Sequence, residues 1–244
     1  MAIADTLNIP FSKMINILVV EDDLLMLSLI ADTLSSPLTN IFKSSSLSKA
    51  VDMIKVNFKK WHCWVVDLNL EGNARAGLNL IEKHPEFRFS IIHSGLHSLE
   101  IGAEAIRKGA FAIIDKGPDS IEKLIFEACK IIPIVVLCKG MISANVNIFY
   151  LLMEEIIEKP QKWADKAGLS LRQLENITII NTGLPPFLVI PFYYGFRFSL
   201  FSSFKITKKS DYIANIINAD SEFYERCIMS IHCKLSLYKT RLQF

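Results

Sequence analysis

The sequence predicts an α/β front half, built as a five-stranded parallel sheet with helices on both faces, followed by an all-α back half. Three observations carry this. Apolar runs of strand length alternate with stretches of helical spacing before residue 131. Parallel strands need crossover connections, so successive strand–helix units imply helices packed on the sheet faces. From Val146 onward the apolar spacing is helical.

The elements are expected in this order. A first strand at Ile15–Val20 leads into a helix whose apolar residues are Leu24, Leu25, Leu27, Leu29, Ile30 and Leu34. A weaker strand lies near Asn40–Lys43, and Leu47, Ala50, Val51, Ile54 and Phe58 follow it at helical spacing. The third strand, Trp64–Asp67, precedes Leu78, Leu80 and Ile81. The fourth, Phe89–His93, precedes Leu99, Ala103 and Ile106. The fifth, Phe111–Asp115, precedes Ile121, Leu124, Ile125 and Ala128. Residues 132–145 contain Pro133 and Gly140 and read as a linker. The expected domains are therefore 14–131 and 146–244. In open parallel sheets ligands bind at the carboxyl ends of the strands, where the strand order reverses.

Composition narrows the function classes. Of the 244 residues 51% are hydrophobic and 21% charged, which supplies packed cores and excludes global disorder. Charge is uneven: residues 1–131 hold 14 Lys/Arg against 16 Asp/Glu, whereas 132–244 hold 13 against 9. A basic back half suits phosphate contacts. The five cysteines are odd in number and lack C-x-x-C spacing, so neither a disulfide framework nor a zinc knuckle is expected. Free thiols and an N-terminus without a basic start and apolar core point to the cytoplasm. The 18-residue run Phe187–Phe204 carries one charge but is interrupted by Pro191, Gly195, Arg197 and three serines. It reads as a buried helix rather than a membrane-associated segment.

Four features sit at strand ends and converge on one mouth: Glu21, Asp22 and Asp23 after the first strand, Asp67 at the third, Ser94 at the fourth and Lys116 after the fifth. Singly they are ordinary: acids at a helix N-terminus, a turn serine, a loop lysine. One per successive strand end, they suit phosphoryl transfer to a carboxylate. Asp67 is the nucleophile. Mg²⁺ takes oxygen ligands from Glu21, Asp22, Asp67 and the backbone carbonyl of Asn69. Lys116 supplies a flexible point charge and Ser94 a hydroxyl donor for the phosphoryl oxygens.

The motifs ILVVEDD (17–23), VVDLNLEG (65–72), IIHSG (91–95) and IIDKG (113–117) resemble those of response-regulator receiver domains, over the whole front half. The intervals agree as well, with Asp22 and Asp67 45 residues apart and Ser94 and Lys116 22 apart. The resemblance implies a flavodoxin-like fold, Glu21 and Asp22 as metal-binding acids, Asp67 as phosphoacceptor, Ser94 as the switch hydroxyl and Lys116 as the motif lysine. It also implies a sensor histidine kinase as donor. The chain departs from the family at Glu71 and Gly117, where the family usually carries Pro, and at Ile113, where many members carry Tyr or Phe. Gly77 falls later than in the family.

In the back half, KWADKAGLSLRQLENITIINTGLPPFL (162–188) follows helix-turn-helix logic. Gly168 ends one helix in the left-handed conformation and Ser170 caps the next. Leu171, Leu174 and Ile177 are expected inward; Arg172, Gln173, Glu175 and Asn176 outward, towards a major groove. With TGLPPFL, FRFSLF and DYIANIINADSEFYERCIMSIHCKLSLYKTR (211–241), the region resembles a degenerate AraC/XylS-type DNA-binding domain. Its candidate DNA contacts are Arg172, Gln173, Asn176, Ser221 and Arg226. The whole reads as a cytoplasmic response regulator, not a free-standing enzyme, that uses Mg²⁺, is phosphorylated on Asp67 and controls transcription, with paired half-sites if it forms a homodimer. The rival reading is a phospho-dependent adaptor whose helical output binds a protein.

Overall fold

The computed structural model describes residues 15–57, 61–84, 89–95, 98–138, 147–204 and 227. The chain divides into two compact units that meet in sequence at Val136 and Leu137.

In the front unit β1 (Ile15–Val20), β2 (Thr39–Ser44), β3 (Trp61–Val66), β4 (Ser90–Ser94) and β5 (Ala110–Asp115) form one parallel sheet in the order β2-β1-β3-β4-β5. Helices α1 (Leu24–Thr33), α2 (Leu47–Asn57), α3 (Ala76–Lys83), α4 (Leu99–Arg107) and α5 (Ser120–Leu137) follow the strands in turn. The chain steps one way from β1 to β2 and the other way from β2 onward. With right-handed crossovers, that reversal sends α1 to one face and α2, α3 and α4 to the other. The core agrees: Leu18, Val20, Trp64, Val66 and Ile92 form one buried cluster with Ala50 and Ile54 of α2, Leu78 and Ile81 of α3 and Ala105 of α4. Strand residues alternate, so the buried Ile17, Val19, Val65 and Ile91 face the other way. The connections after β1 and β3 leave to opposite faces, which opens a crevice between the carboxyl ends of these adjacent strands.

Three expectations change. Residues 132–137 belong to α5, not to a linker; the rest of 132–145 apart from Cys138 lies outside the described residues. Pro133 removes one helical hydrogen bond, at about 3 kcal/mol. Burying Ile131, Ile132, Ile134, Val135 and Leu137, at roughly 1.5–3 kcal/mol per side chain, outweighs it. In α4 the buried residue is Ala105, whereas Leu99 and Ile106 are exposed. In α1, Leu27 and Ile30 are buried while Leu24, Leu25 and Leu29 face solvent.

The described part of the back unit is helical: α6 (Asn147–Glu154), α7 (Pro160–Lys166), α8 (Leu171–Thr182) and α9 (Pro186–Ser203). Trp163 of α7 is fully buried, stacks edge-on against Phe149 of α6 and donates its Nε1–H to the Ile148 carbonyl at 2.8 Å. Tyr194 of α9 ties down the segment after α6: its hydroxyl accepts from Ile157 N and donates to the Glu155 carbonyl, both at 2.8 Å. Gly168 ends the turn after α7 with φ 66°, and Ser170 caps α8 in a capping box with Gln173. The buried stripe of α8 is Leu174, Thr178 and Thr182. Leu171, expected inward, is 43% exposed because it starts the helix, ahead of that stripe. The threonines tolerate burial because their hydroxyls donate to carbonyls of the preceding turn, Glu175 and Thr178. Helix α9 continues through Pro191, and most of its side chains are buried. Among the described residues no single helix is long and apolar enough to cross a membrane.

Candidate functional site

The sheet's backbone pairing runs one step past the strands. Glu21 N donates to the Ser44 carbonyl at 3.0 Å, Asp67 N to Val20 at 2.9 Å and Lys116 N to Ser94 at 3.0 Å. These bonds hold the residues after β1, β3 and β5 at the rim of the sheet, beside the crevice. Glu21 is 1% and Asp67 5% exposed, while Asp22 is exposed. One carboxylate oxygen from each of Glu21, Asp22 and Asp67 lies within 4.8 Å of the others.

Lys116 crosses this group. Its ammonium donates to Asp67 Oδ2 at 2.6 Å and to Glu21 Oε1 at 2.9 Å, and lies 2.7 Å from Glu21 Oε2. Burial works to lower the pKa of Lys116, but pairing with Asp67 and Glu21 outweighs it and holds the lysine above its ordinary value. Glu21 goes up: burial raises it most, repulsion from Asp67 adds to this, and Lys116 only partly offsets both.

The other predicted residues take separate positions. Asp23 caps α1, accepting from Leu25 N at 2.9 Å and Met26 N at 3.2 Å. Ser94 is buried at the end of β4. Asn69 N donates to Asp67 Oδ1 at 3.2 Å, and the buried Asn69 Oδ1 has no hydrogen-bond partner among the described residues. In the back unit Arg172, Gln173 and Asn176 are exposed on α8, but the amide oxygen of Gln173 is occupied by Ser170 N at 2.8 Å. Ser221 and Arg226 lie outside the described residues.

Three features of the front unit escape the sequence reading. The loop after Asp67 forms a two-residue hairpin: Leu70 and Asn73 exchange backbone hydrogen bonds at 3.2 and 3.0 Å, with Glu71 at φ 56° and Gly72 at φ 76°. Both left-handed angles mark a type I′ turn, and its sequence signal is the Glu-Gly-Asn triplet between apolar leucine and α3. Gly77 packs directly on the Asp67 backbone; a Cβ there would sit 2.2 Å from the Asp67 carbonyl oxygen. His93 is fully buried on β4, and neither ring nitrogen has a hydrogen-bond partner among the described residues. Burial first and Lys116 second lower its pKa to about 4.

The donor set fits a hard divalent cation. Three carboxylates face one ammonium, so charge remains to be offset, and oxygen ligands are what Mg²⁺ takes. The buried Asn69 Oδ1, two residues past Asp67, is a further polar atom without a hydrogen-bond partner among the described residues.

No family model and no curated protein matches the chain. Among solved structures, its neighbours are CheY-like response-regulator receiver domains. A receiver domain protein from Methanospirillum hungatei is 23% identical, with 46% of this chain and 89% of that chain covered and a TM-score of 0.40. One from Pseudoalteromonas atlantica is 18% identical, with 48% and 96% covered and a TM-score of 0.43. A CheX–CheY complex with BeF3 and Mg from Borrelia burgdorferi is 21% identical, with 45% and 84% covered and a TM-score of 0.40.

Proposed function

We propose that the front unit accepts a phosphoryl group on Asp67 as the receiver of a two-component response regulator, and that the donor is a sensor histidine kinase. The observation that carries this reading is the reach of Lys116 across the crevice to both Asp67 and Glu21, with Asp22 beside them. Asp67 Oδ attacks phosphorus while the bond to the donor nitrogen breaks, which leaves an acyl phosphate. Lys116 then exchanges its carboxylate contact for a phosphoryl oxygen, and the Ser94 hydroxyl donates to another. Glu21, Asp22, Asp67 and the Asn69 carbonyl would hold Mg²⁺, which would offset the charge of the crowded oxygens. The acyl phosphate biases the domain between two states and so changes the output.

For the back unit we propose AraC-type DNA binding through Arg172, Gln173, Asn176, Ser221 and Arg226, with transcription as the regulated process. One observation favours the adaptor reading instead. The solvent ridge of α8 carries Ile179 and an 80% exposed Ile180 beside Asn176, and Gln173 is committed to its own cap. An apolar ridge suits a protein surface better than phosphates.

The test is incubation with Mg²⁺ and a small acyl-phosphate donor, read by intact mass, for the wild type and Asp67→Asn. An adduct present only in the wild type is expected; no adduct from either this donor or a phosphorylated kinase removes the reading. Binding to genomic fragments that weakens steeply with salt supports the DNA output, and salt-insensitive capture of a protein supports the adaptor.

A further inference from the structure

Asp22 is the exposed member of the three acids. Among the described residues its carboxylate has one hydrogen-bond partner, the backbone N–H of Glu71, at 2.8 Å from Oδ2. That N–H sits at the tip of the Leu70–Asn73 hairpin, where Glu71 adopts the left-handed conformation that disfavours side chains. A strained tip needs an anchor, and the structure has one at its root. Asn73 Oδ1 accepts from Arg75 N at 3.0 Å, and the Arg75 guanidinium pairs with Glu104 of α4. Lys108 joins the same carboxylate at 3.1 Å and Glu82 of α3 at 2.5 Å.

We infer that this hairpin is a positioning element for the cation site: Glu71 N–H orients Asp22, and the Arg75–Glu104 pair holds the hairpin in place to do so. The inference rests on the proposed Mg²⁺ site. A carboxylate has two oxygens and about four lone-pair directions, so Asp22 can keep Glu71 on Oδ2 and still offer an oxygen to a cation. An aimed Asp22 binds the ion without first losing its freedom to swing away. By linkage, the bound ion tightens the hairpin as much as the hairpin favours the ion. Occupancy of the crevice is thereby communicated to α4 along a covalent and ionic path.

The test is Mg²⁺ titration of the 244-residue chain by calorimetry, for wild type, Arg75→Gln, Glu104→Gln and the double variant. None of these residues is in the acid cluster. Each single variant is expected to bind Mg²⁺ roughly threefold more weakly, the scale of one surface ion pair, and the double variant no more weakly than either. A long-range charge effect would have opposite signs, since Arg75→Gln removes a positive and Glu104→Gln a negative charge. Mg²⁺ is also expected to slow hydrogen exchange of the Glu71 amide in the wild type and less so in the variants. Opposite signs, unchanged affinities, or a Glu71 amide indifferent to Mg²⁺ overturn the positioning role alone. A wild type that binds no Mg²⁺ overturns the cation site and this inference together.

Discussion

Lys116 and Asp67, 49 residues apart in sequence, are joined at 2.6 Å, and the same ammonium lies 2.7 Å from Glu21. Removing it leaves two buried carboxylates facing each other. Lys116→Met is expected to cost on the order of 3 kcal/mol at pH 7, as breaking a buried ion pair does. The deficit should shrink towards pH 5. Glu21 already has a raised pKa from burial and from Asp67, so the folded state binds this proton more tightly than the unfolded chain. Its contribution is therefore lost as pH rises, and the variant widens that gap. Urea melts of both proteins at pH 7 and pH 5 decide this, and a deficit independent of pH contradicts it.

His93 works in the opposite sense. Its folded pKa of about 4 lies below the ordinary 6.5. Between those values the unfolded chain binds the proton and the folded one does not, so stability falls as pH falls through that window. From pH 7 to 5.5 the loss is about 1 kcal/mol. His93→Leu should abolish this slope and, by removing two orphaned nitrogens, gain about 1 kcal/mol at pH 7. Thermal melts across the range read both effects.

Gly77 leaves no room for a methyl group, since a Cβ would meet the Asp67 carbonyl oxygen at 2.2 Å and Leu68 Cα at 2.9 Å. Gly77→Ala must push α3 or the loop after Asp67 aside. The expected cost is about 1–3 kcal/mol, accompanied by slower labelling of Asp67 by an acyl-phosphate donor. Wild-type stability and labelling would show that the loop yields freely.

In the back unit Tyr194→Phe removes the hydroxyl shared by Ile157 N and the Glu155 carbonyl. A buried N–H then lacks its acceptor, which costs about 1–3 kcal/mol. Amide exchange at Ile157 should accelerate with it; an unchanged rate would mean that another group takes over.

The sheet and the acid cluster were legible because each is written locally. Near-continuous apolar runs mark strands that are covered on both faces, and Asp67, Ser94 and Lys116 each stand at or just past the end of such a run. Helix phase was less legible. Leu99, Ala103 and Ile106 look like a core face, yet Ala105 is the buried residue; a helix with apolar residues on its solvent side has no unique phase in sequence. Pro133 misled in another way. A proline signals a break locally, but the buried isoleucines around it stabilise the helix by more than the lost bond.

By itself the sequence determined the strand–helix alternation, the side-chain chemistry at each strand end and the caps at Gly168 and Ser170, because these depend on neighbours a few residues away. Only the tertiary structure decided that Lys116 spans Glu21 and Asp67, that Gly77 abuts Asp67, that Asp22 is held by Glu71 and that Gln173 caps its own helix. The first three are contacts between residues distant in sequence or set by backbone angles, and Gln173 had two local roles open to it. Packing, not periodicity, selects among them.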